Sequence, residues 1–125
     1  MGRALVLNAS LKHAPEASNT QELAELVLEH LRPHRVTADV VRLADLRLPV
    51  GLGYRESDDD EWPAIVAKLK AADIVLFATP IWWGGRSSLM QRVIERMEDY
   101  DTTFAGRANS YIVHEQLVIS SRRGI

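Results

Sequence analysis

Ala4-Leu5-Val6-Leu7-Asn8-Ala9-Ser10 runs on through Leu11-Lys12-His13-Ala14-Pro15-Glu16-Ala17 to Ser18-Asn19-Thr20, and the reading of this stretch decides the fold. Its opening, Ala4 to Leu7, is apolar at every position. That is the pattern of a strand in the middle of a parallel sheet, where helices cover both faces and the usual in-and-out alternation disappears. After Thr20, Leu23, Leu26, Val27 and Leu31 recur at helical spacing, with Pro33 just beyond as a stop, which predicts a helix from Asn19 to Arg32. A buried strand thus passes through one loop, Asn8 to Thr20, directly into a helix.

The same alternation continues outward from this unit. Val36 to Leu43 predicts a second strand, with Val40, Val41 and Leu43 for the core and Thr37, Asp39 and Arg42 for its exposed side. Ala44 to Asp60 is loop-like, with Pro49, Gly51 and Gly53, and it ends in the acidic run Asp58-Asp59-Asp60-Glu61. Consecutive carboxylates cannot all converge on one metal ion, so the run is expected to be solvated and to complement the dipole of the next helix. Trp62, Ile65, Val66 and Leu69 form that helix's apolar stripe, and Pro63 is tolerated in its first turn. Ile74 to Ala78 predicts a third, central strand. A third helix carries Leu89, Met90, Val93, Ile94 and Met97, opened by Ser88 with Gln91 three residues on. Ser110 to Val113 predicts a fourth strand, and the apolar Leu117-Val118-Ile119 beyond it is left unassigned. Alternating strands and helices imply right-handed crossovers and a parallel sheet, with ligands bound where loops leave the carboxyl ends of the strands.

The 125 residues fit a single domain, 1–125, and 46% hydrophobic residues is an ordinary content for a globular chain. With 15 basic and 17 acidic residues, the formal charge of -2 favours neither nucleic acid nor an anionic membrane surface as partner. The absence of cysteine excludes disulfides, thiolate nucleophiles and cysteine-held metal clusters, so any redox chemistry needs a borrowed cofactor. No leader-like or membrane-spanning run is present, and the expected location is the cytoplasm.

Two loops fall where function is expected. In the first, backbone N–H groups at the helix N-terminus carry partial positive charge, and Ser10, Ser18, Asn19 and Thr20 add donors around an anion. The competing reading is that Ser18 or Asn19 caps the helix, with Gln21 or Glu22 closing a capping box. Glycine patterns of a P-loop or a dinucleotide fingerprint are absent. The second loop, Thr79-Pro80-Ile81-Trp82-Trp83-Gly84-Gly85-Arg86-Ser87-Ser88, puts two tryptophans and two glycines at the end of a central strand. The indoles serve either as a platform for a flat ring, with the glycines permitting close approach, or as surface for a neighbouring subunit. No catalytic acid or base and no metal ligands are nominated. His30 and His34 straddle Pro33 and read as surface residues, as does His13.

Together the two loops resemble the NADPH-dependent FMN reductase branch of the flavodoxin-like superfamily. The resemblance runs from Met1 to about Arg107, on Ala4 to Ser10 with Ser18-Asn19-Thr20 and on Ala78-Thr79-Pro80-Ile81-Trp82-Trp83-Gly84. It implies a flavodoxin-like three-layer α/β sandwich with strand order 2-1-3-4. It also implies FMN, whose phosphate would meet Ser10, Lys12, Ser18, Asn19 and Thr20, and whose ring would meet Pro80, Ile81, Trp82, Trp83 and Gly84. NAD(P)H would be the co-substrate and a small molecule such as a quinone or free flavin the acceptor. A homo-oligomer, dimer or tetramer, is expected.

The sequence departs from the family pattern in two ways. Ala9 and Lys12 stand where the family has a glycine and often an arginine. After the fourth strand the family continues into a fifth strand, two helices and a Gly-rich third flavin loop, where this sequence has His114-Glu115-Gln116. The expectation is therefore a C-terminally short domain with an exposed edge at strand four. The alternatives to an oxidoreductase are a flavodoxin-type electron carrier and a flavin-free structural domain.

Overall fold

The described residues of the computed structural model are 2–97, together with the backbone of two strands, 109–114 and 117–121. In chain order the elements are β1 (Gly2–Asn8), α1 (Asn19–Leu31), β2 (Val36–Arg42), α2 (Trp62–Ala71), β3 (Ile74–Ala78), a small hairpin of β4 (Ile81–Trp82) and β5 (Gly85–Arg86), α3 (Ser88–Arg96), β6 (Asn109–His114) and β7 (Leu117–Ser121). Short 3-10 turns at Arg32–His34 and Leu43–Asp45 flank β2.

The main sheet has the order β2-β1-β3-β7-β6. Its centre is parallel, with β1 paired to β2 through Leu7↔Val41 and to β3 through Leu7↔Phe77. The uniformly apolar β1 is buried on both faces, as its composition requires. Leu5 and Leu7 meet Trp62, Ile65, Val66 and Leu69 of α2 and Met90 and Val93 of α3 on one side. Ala4 and Val6, with Leu76 and Ala78 of β3, meet Ala24 and Leu28 of α1 on the other. The result is the three-layer α/β sandwich with a flavodoxin-like core.

Several local expectations are corrected. The place beside β3 belongs to β7, the stretch left unassigned in the sequence, and β7 runs antiparallel to β3. The strand expected there, Ser110 to Val113, lies within β6 at the sheet edge and pairs antiparallel with β7. Only Glu115 and Gln116, both outside the described residues, separate β6 from β7. So short a connection cannot make a parallel crossover, and the two strands form a hairpin. Val40, expected in the core, is 40% exposed. It sits on the edge strand β2 on the α1 side, and α1 packs over β1 and β3.

The cap of α3 is Ser87, not Ser88: its hydroxyl accepts from the Met90 N–H, while Gln91 turns to Arg86 and Glu95. The acidic run is only partly solvated. Asp60 is fully buried against Arg96, because its carboxylate gains two Arg96 bonds together with the N–H groups of Glu56 and Trp62.

Candidate functional site

The loops 9–18 and 79–87 leave neighbouring strands at the same level, since β1 and β3 end in register at Asn8↔Ala78. The pairing continues one residue further, with Ala9 N–H donating to the Ala78 carbonyl at 2.8 Å. Ser87 then ties the loops together. Its hydroxyl donates to the Ala9 carbonyl at 2.7 Å and accepts from Met90 N–H at 3.1 Å, and its own N–H donates to Thr79 Oγ1 at 3.0 Å. With all of these atoms buried, the junction is shielded from competing water.

The first loop is shaped from within by Asn8, which is wholly buried. Its Oδ1 accepts from Ser10 N–H at 2.9 Å and its Nδ2 donates to Gln21 Oε1 at 3.0 Å. Ser10 Oγ accepts from Lys12 N–H at 3.2 Å, and Ser18 Oγ caps α1 by accepting from Gln21 N–H at 3.1 Å. The capping half of the competing reading is therefore realised at Ser18, although Gln21 faces Asn8 and Glu25 and closes no capping box. The first helical hydrogen bond is Glu22 N–H to the Ser18 carbonyl, which leaves the N–H groups of Asn19 and Thr20 without an intrahelical acceptor.

Capping needs only Ser18. Ser10, Ser18 and Thr20 are nevertheless all buried, whereas Lys12 and Asn19 are exposed. The hydroxyls of Ser10 and Ser18 are engaged as acceptors and retain their hydrogens for donation. The Thr20 hydroxyl makes no hydrogen bond among the described residues. Ser18, Thr20 and the two N–H groups stand at the start of α1, and Asn8 links the Ser10 N–H to Gln21 in the same turn; a helix N-terminus with free donors is a place where anions are held.

The second loop is a two-residue hairpin. Ile81 pairs with Arg86 and Trp82 with Gly85, so Trp83-Gly84 forms the turn, with φ of 53° and 76°. Two consecutive left-handed residues make a type I′ turn, the kind that matches the twist of paired strands. Gly84 is thus required by the turn; a Cβ on it would meet nothing within 4 Å. Trp83 is fully exposed and Trp82 51% exposed. Pro80 and Ile81, half-buried, lead from β3 into the hairpin. The structure brings Pro80–Gly84 beside the first loop through the Thr79–Ser87 junction, with both indoles turned to solvent.

Sequence reasoning missed the residues that hold these loops: Asn8, Thr79, Ser87 and, at the end of β2, Arg42 and Asp45. It also missed the clamp around Asp60. Buried Arg96 donates to Asp60 Oδ2 at 2.6 Å and to the carbonyls of Pro49 and Gly53 at 3.0 Å, fixing the loop after β2. Its guanidinium lies 5.5 Å from the Trp62 ring centroid. Burial pushes the Asp60 carboxyl upward, but the Arg96 guanidinium and the N–H groups of Glu56 and Trp62 outweigh it and hold the group below its ordinary value. Among the described residues, no cluster of three or more His, Asp or Glu could hold a metal, and no helix is long and apolar enough to cross a membrane.

A family profile for NADPH-dependent FMN reductase matches residues 3–114. A divalent metal cation transporter, MntH, of Mycobacterium bovis is 36% identical over 123 residues, covering 89% of this chain and 18% of that protein. The 8-demethyl-8-aminoriboflavin-5'-phosphate synthase of Streptomyces davaonensis is 28% identical over 108 residues, covering 79% and 42%. The crystal structure of RosB, with bound 8-demethyl-8-formylriboflavin-5'-phosphate, superposes with a TM-score of 0.67 at 27% identity, over 78% of this chain and 42% of RosB. The chain thus spans less than half the length of each of these relatives. By its profile match over most of its length, and by the sandwich and paired loops described above, the chain belongs to the NADPH-dependent FMN reductase family.

Proposed function

We propose that this chain binds FMN at the paired loops and takes part in an NAD(P)H-dependent oxidoreductase whose acceptor is a quinone, a flavin or a similar small molecule. The observation that carries this reading is Thr20, a residue only 4% exposed whose hydroxyl has no hydrogen-bond partner among the described residues, in the first turn of the helix that Ser18 caps. The donor set fits a phosphate monoester, and RosB, a solved relative, holds a riboflavin 5'-phosphate derivative.

In this reading Ser10, Ser18 and Thr20 donate hydroxyl hydrogens to phosphate oxygens. The N–H groups of Asn19 and Thr20 add the helix dipole, and Lys12 adds a nearby positive charge. Pro80, Ile81 and Gly84 offer backbone to the edge of the ring, and Trp82 and Trp83 offer aromatic surface. Bound FMN would itself supply hydride acceptance and electron transfer, so the protein's part is to position it and set its electrostatics. The exposed Trp82, Trp83, Val50, Leu52 and Tyr54 favour a homo-oligomer, dimer or tetramer, which light scattering on the purified chain would test.

The visible spectrum of the purified protein is the first test. A yellow protein that releases FMN on denaturation and is bleached anaerobically by NAD(P)H supports the reading; a colourless protein that takes up no added FMN refutes it. At residue level, Thr20→Val and Ser10→Ala should each raise the FMN dissociation constant by about tenfold, the worth of one hydrogen bond to a charged group. Melting temperatures should move by only a few degrees. A loss of stability matching the loss of FMN would mean that these hydroxyls serve the helix alone.

A further inference from the structure

We infer that Arg42, the last residue of β2, and Asp45, in the turn that follows it, are positioning residues that hold the first loop in the shape that receives the phosphate; the inference rests on the flavin-phosphate reading above. Loops between a strand and a helix in α/β units usually run about 2–6 residues. The segment 9–18 is longer, and its middle, Leu11 to Ala17, is exposed throughout. Asn8 fixes its start and Ser18 its end. The span between them needs a support outside the loop, and β2 provides one.

The register sets Arg42 beside Asn8, at the point where the loop leaves β1. From there Arg42 Nη1 donates to the Glu16 carbonyl at 2.7 Å and, more weakly, to the Lys12 carbonyl at 3.4 Å. One guanidinium thereby ties the two arms of the loop together. Asp45 holds the tip: its Oδ1 accepts from Ala14 N–H at 3.2 Å and lies 3.2 Å from His13 Nδ1. Asp45 ends the 3-10 turn whose first residue, Leu43, is fully buried in the core. The support is therefore rooted in the sheet and not in another loop.

The sign of the Asp45 charge is the informative part. A carboxylate beside an anion site repels the ligand, and electrostatics alone predicts that removing it tightens binding by a few-fold. An anchor has the opposite consequence: without it the loop samples shapes in which Ser10, Ser18 and Thr20 do not converge, and binding weakens.

The test titrates the full chain with FMN and with riboflavin, which lacks the phosphate, following flavin fluorescence. Asp45→Ala and Arg42→Gln should each weaken FMN about five- to tenfold, as loss of an exposed charge-assisted hydrogen bond implies. Riboflavin affinity should change less than about twofold and melting temperature by only a few degrees, because the phosphate alone depends on the loop. Arg42→Lys should recover most of the loss, since an ammonium can still donate to the Glu16 carbonyl. Unchanged or tighter FMN binding by Asp45→Ala would overturn the inference while leaving FMN binding itself intact. So would an equal loss of both ligands in the Asp45 and Arg42 variants. Failure of the wild-type chain to bind FMN would overturn the functional reading and this inference with it.

Discussion

Replacing Asp60 by Asn separates a buried charge from its partner without changing side-chain shape. Both members of the Asp60–Arg96 pair have 0% side-chain exposure, and the pair lies at the crossing of α3, the start of α2 and the loop after β2. Arginine cannot discharge itself by losing a proton, so in Asp60→Asn the guanidinium stays charged and buried, left with carbonyl and amide oxygens and the Trp62 ring. Breaking a buried pair in this way costs about 3–5 kcal/mol.

Arg96→Met should behave differently, because Asp60 keeps the N–H groups of Glu56 and Trp62 and can shed its charge by protonation. In the native protein the Asp60 pKa is held below its ordinary value. Its contribution to stability is then complete above the unfolded value of about 3.9 and is lost as pH falls through the folded value. Without Arg96, only the N–H groups of Glu56 and Trp62 oppose burial, so the folded pKa rises from its native position. The deficit of this variant against the native protein then narrows as acid protonates the unpaired carboxylate. In urea titrations followed by tryptophan fluorescence, the Asp60→Asn midpoint should drop by more than about 1 M at neutral pH. As pH falls, the Arg96→Met deficit should begin to narrow at a higher pH than the Asp60→Asn deficit, which stays level until native Asp60 itself is protonated. A midpoint for Asp60→Asn within about 0.3 M of wild type, or the same pH trend in both variants, would refute the reasoning.

Ser87→Ala removes the α3 cap and leaves the buried Ala9 carbonyl without its hydroxyl donor, so a loss of about 2–3 kcal/mol is expected in the same urea assay. A loss under about 1 kcal/mol would mean that the two loops do not depend on that junction. Trp83→Asn places a residue that tolerates left-handed backbone at the turn position with φ 53°, and should hold or raise stability by up to about 1 kcal/mol. A clear fall in melting temperature would show the indole to be packed and not turned to solvent.

What could be read in the sequence is what local pattern determines. The run Ala4 to Leu7 identifies a strand buried on both faces without reference to any other residue, and the helical spacing after Thr20 identifies α1. Strand pairing beyond β3 is a different matter: Leu117–Ser121 takes the place beside β3 because backbone edges must be paired, and apolarity alone does not rank one short run against another. Val40 and Val41 are indistinguishable by type; the edge position of β2 and the placing of α1 expose the first and bury the second. Asp60 stands among four consecutive acids, and its partner is far along the chain on α3, so nothing local marks it out.

The candidate site divides along the same line. Ser18 was legible as a helix cap because a short hydroxyl side chain before an apolar helical stripe is a local signal, and Ser10 and Thr20 stood out as further hydroxyls in the same stretch. The residues that shape that loop were not legible, because each acts from another segment on the loop's main chain. Asn8 bonds the Ser10 N–H, Arg42 the Glu16 carbonyl, Asp45 the Ala14 N–H and Ser87 the Ala9 carbonyl. Main-chain groups are the same at every residue, so such bonds leave no trace in the composition of the loop they fix. Their effect is to leave the loop's hydroxyl hydrogens uncommitted. A loop folded only to start a helix would use Ser18 and bury nothing else. Here Thr20 is buried with its hydroxyl unspent, and the supports that bring it together with Ser10 and Ser18 come from β1, β2 and the start of α3. On the reading proposed above, that arrangement gives the hydroxyls a use beyond capping, which the comparison of FMN with riboflavin tests.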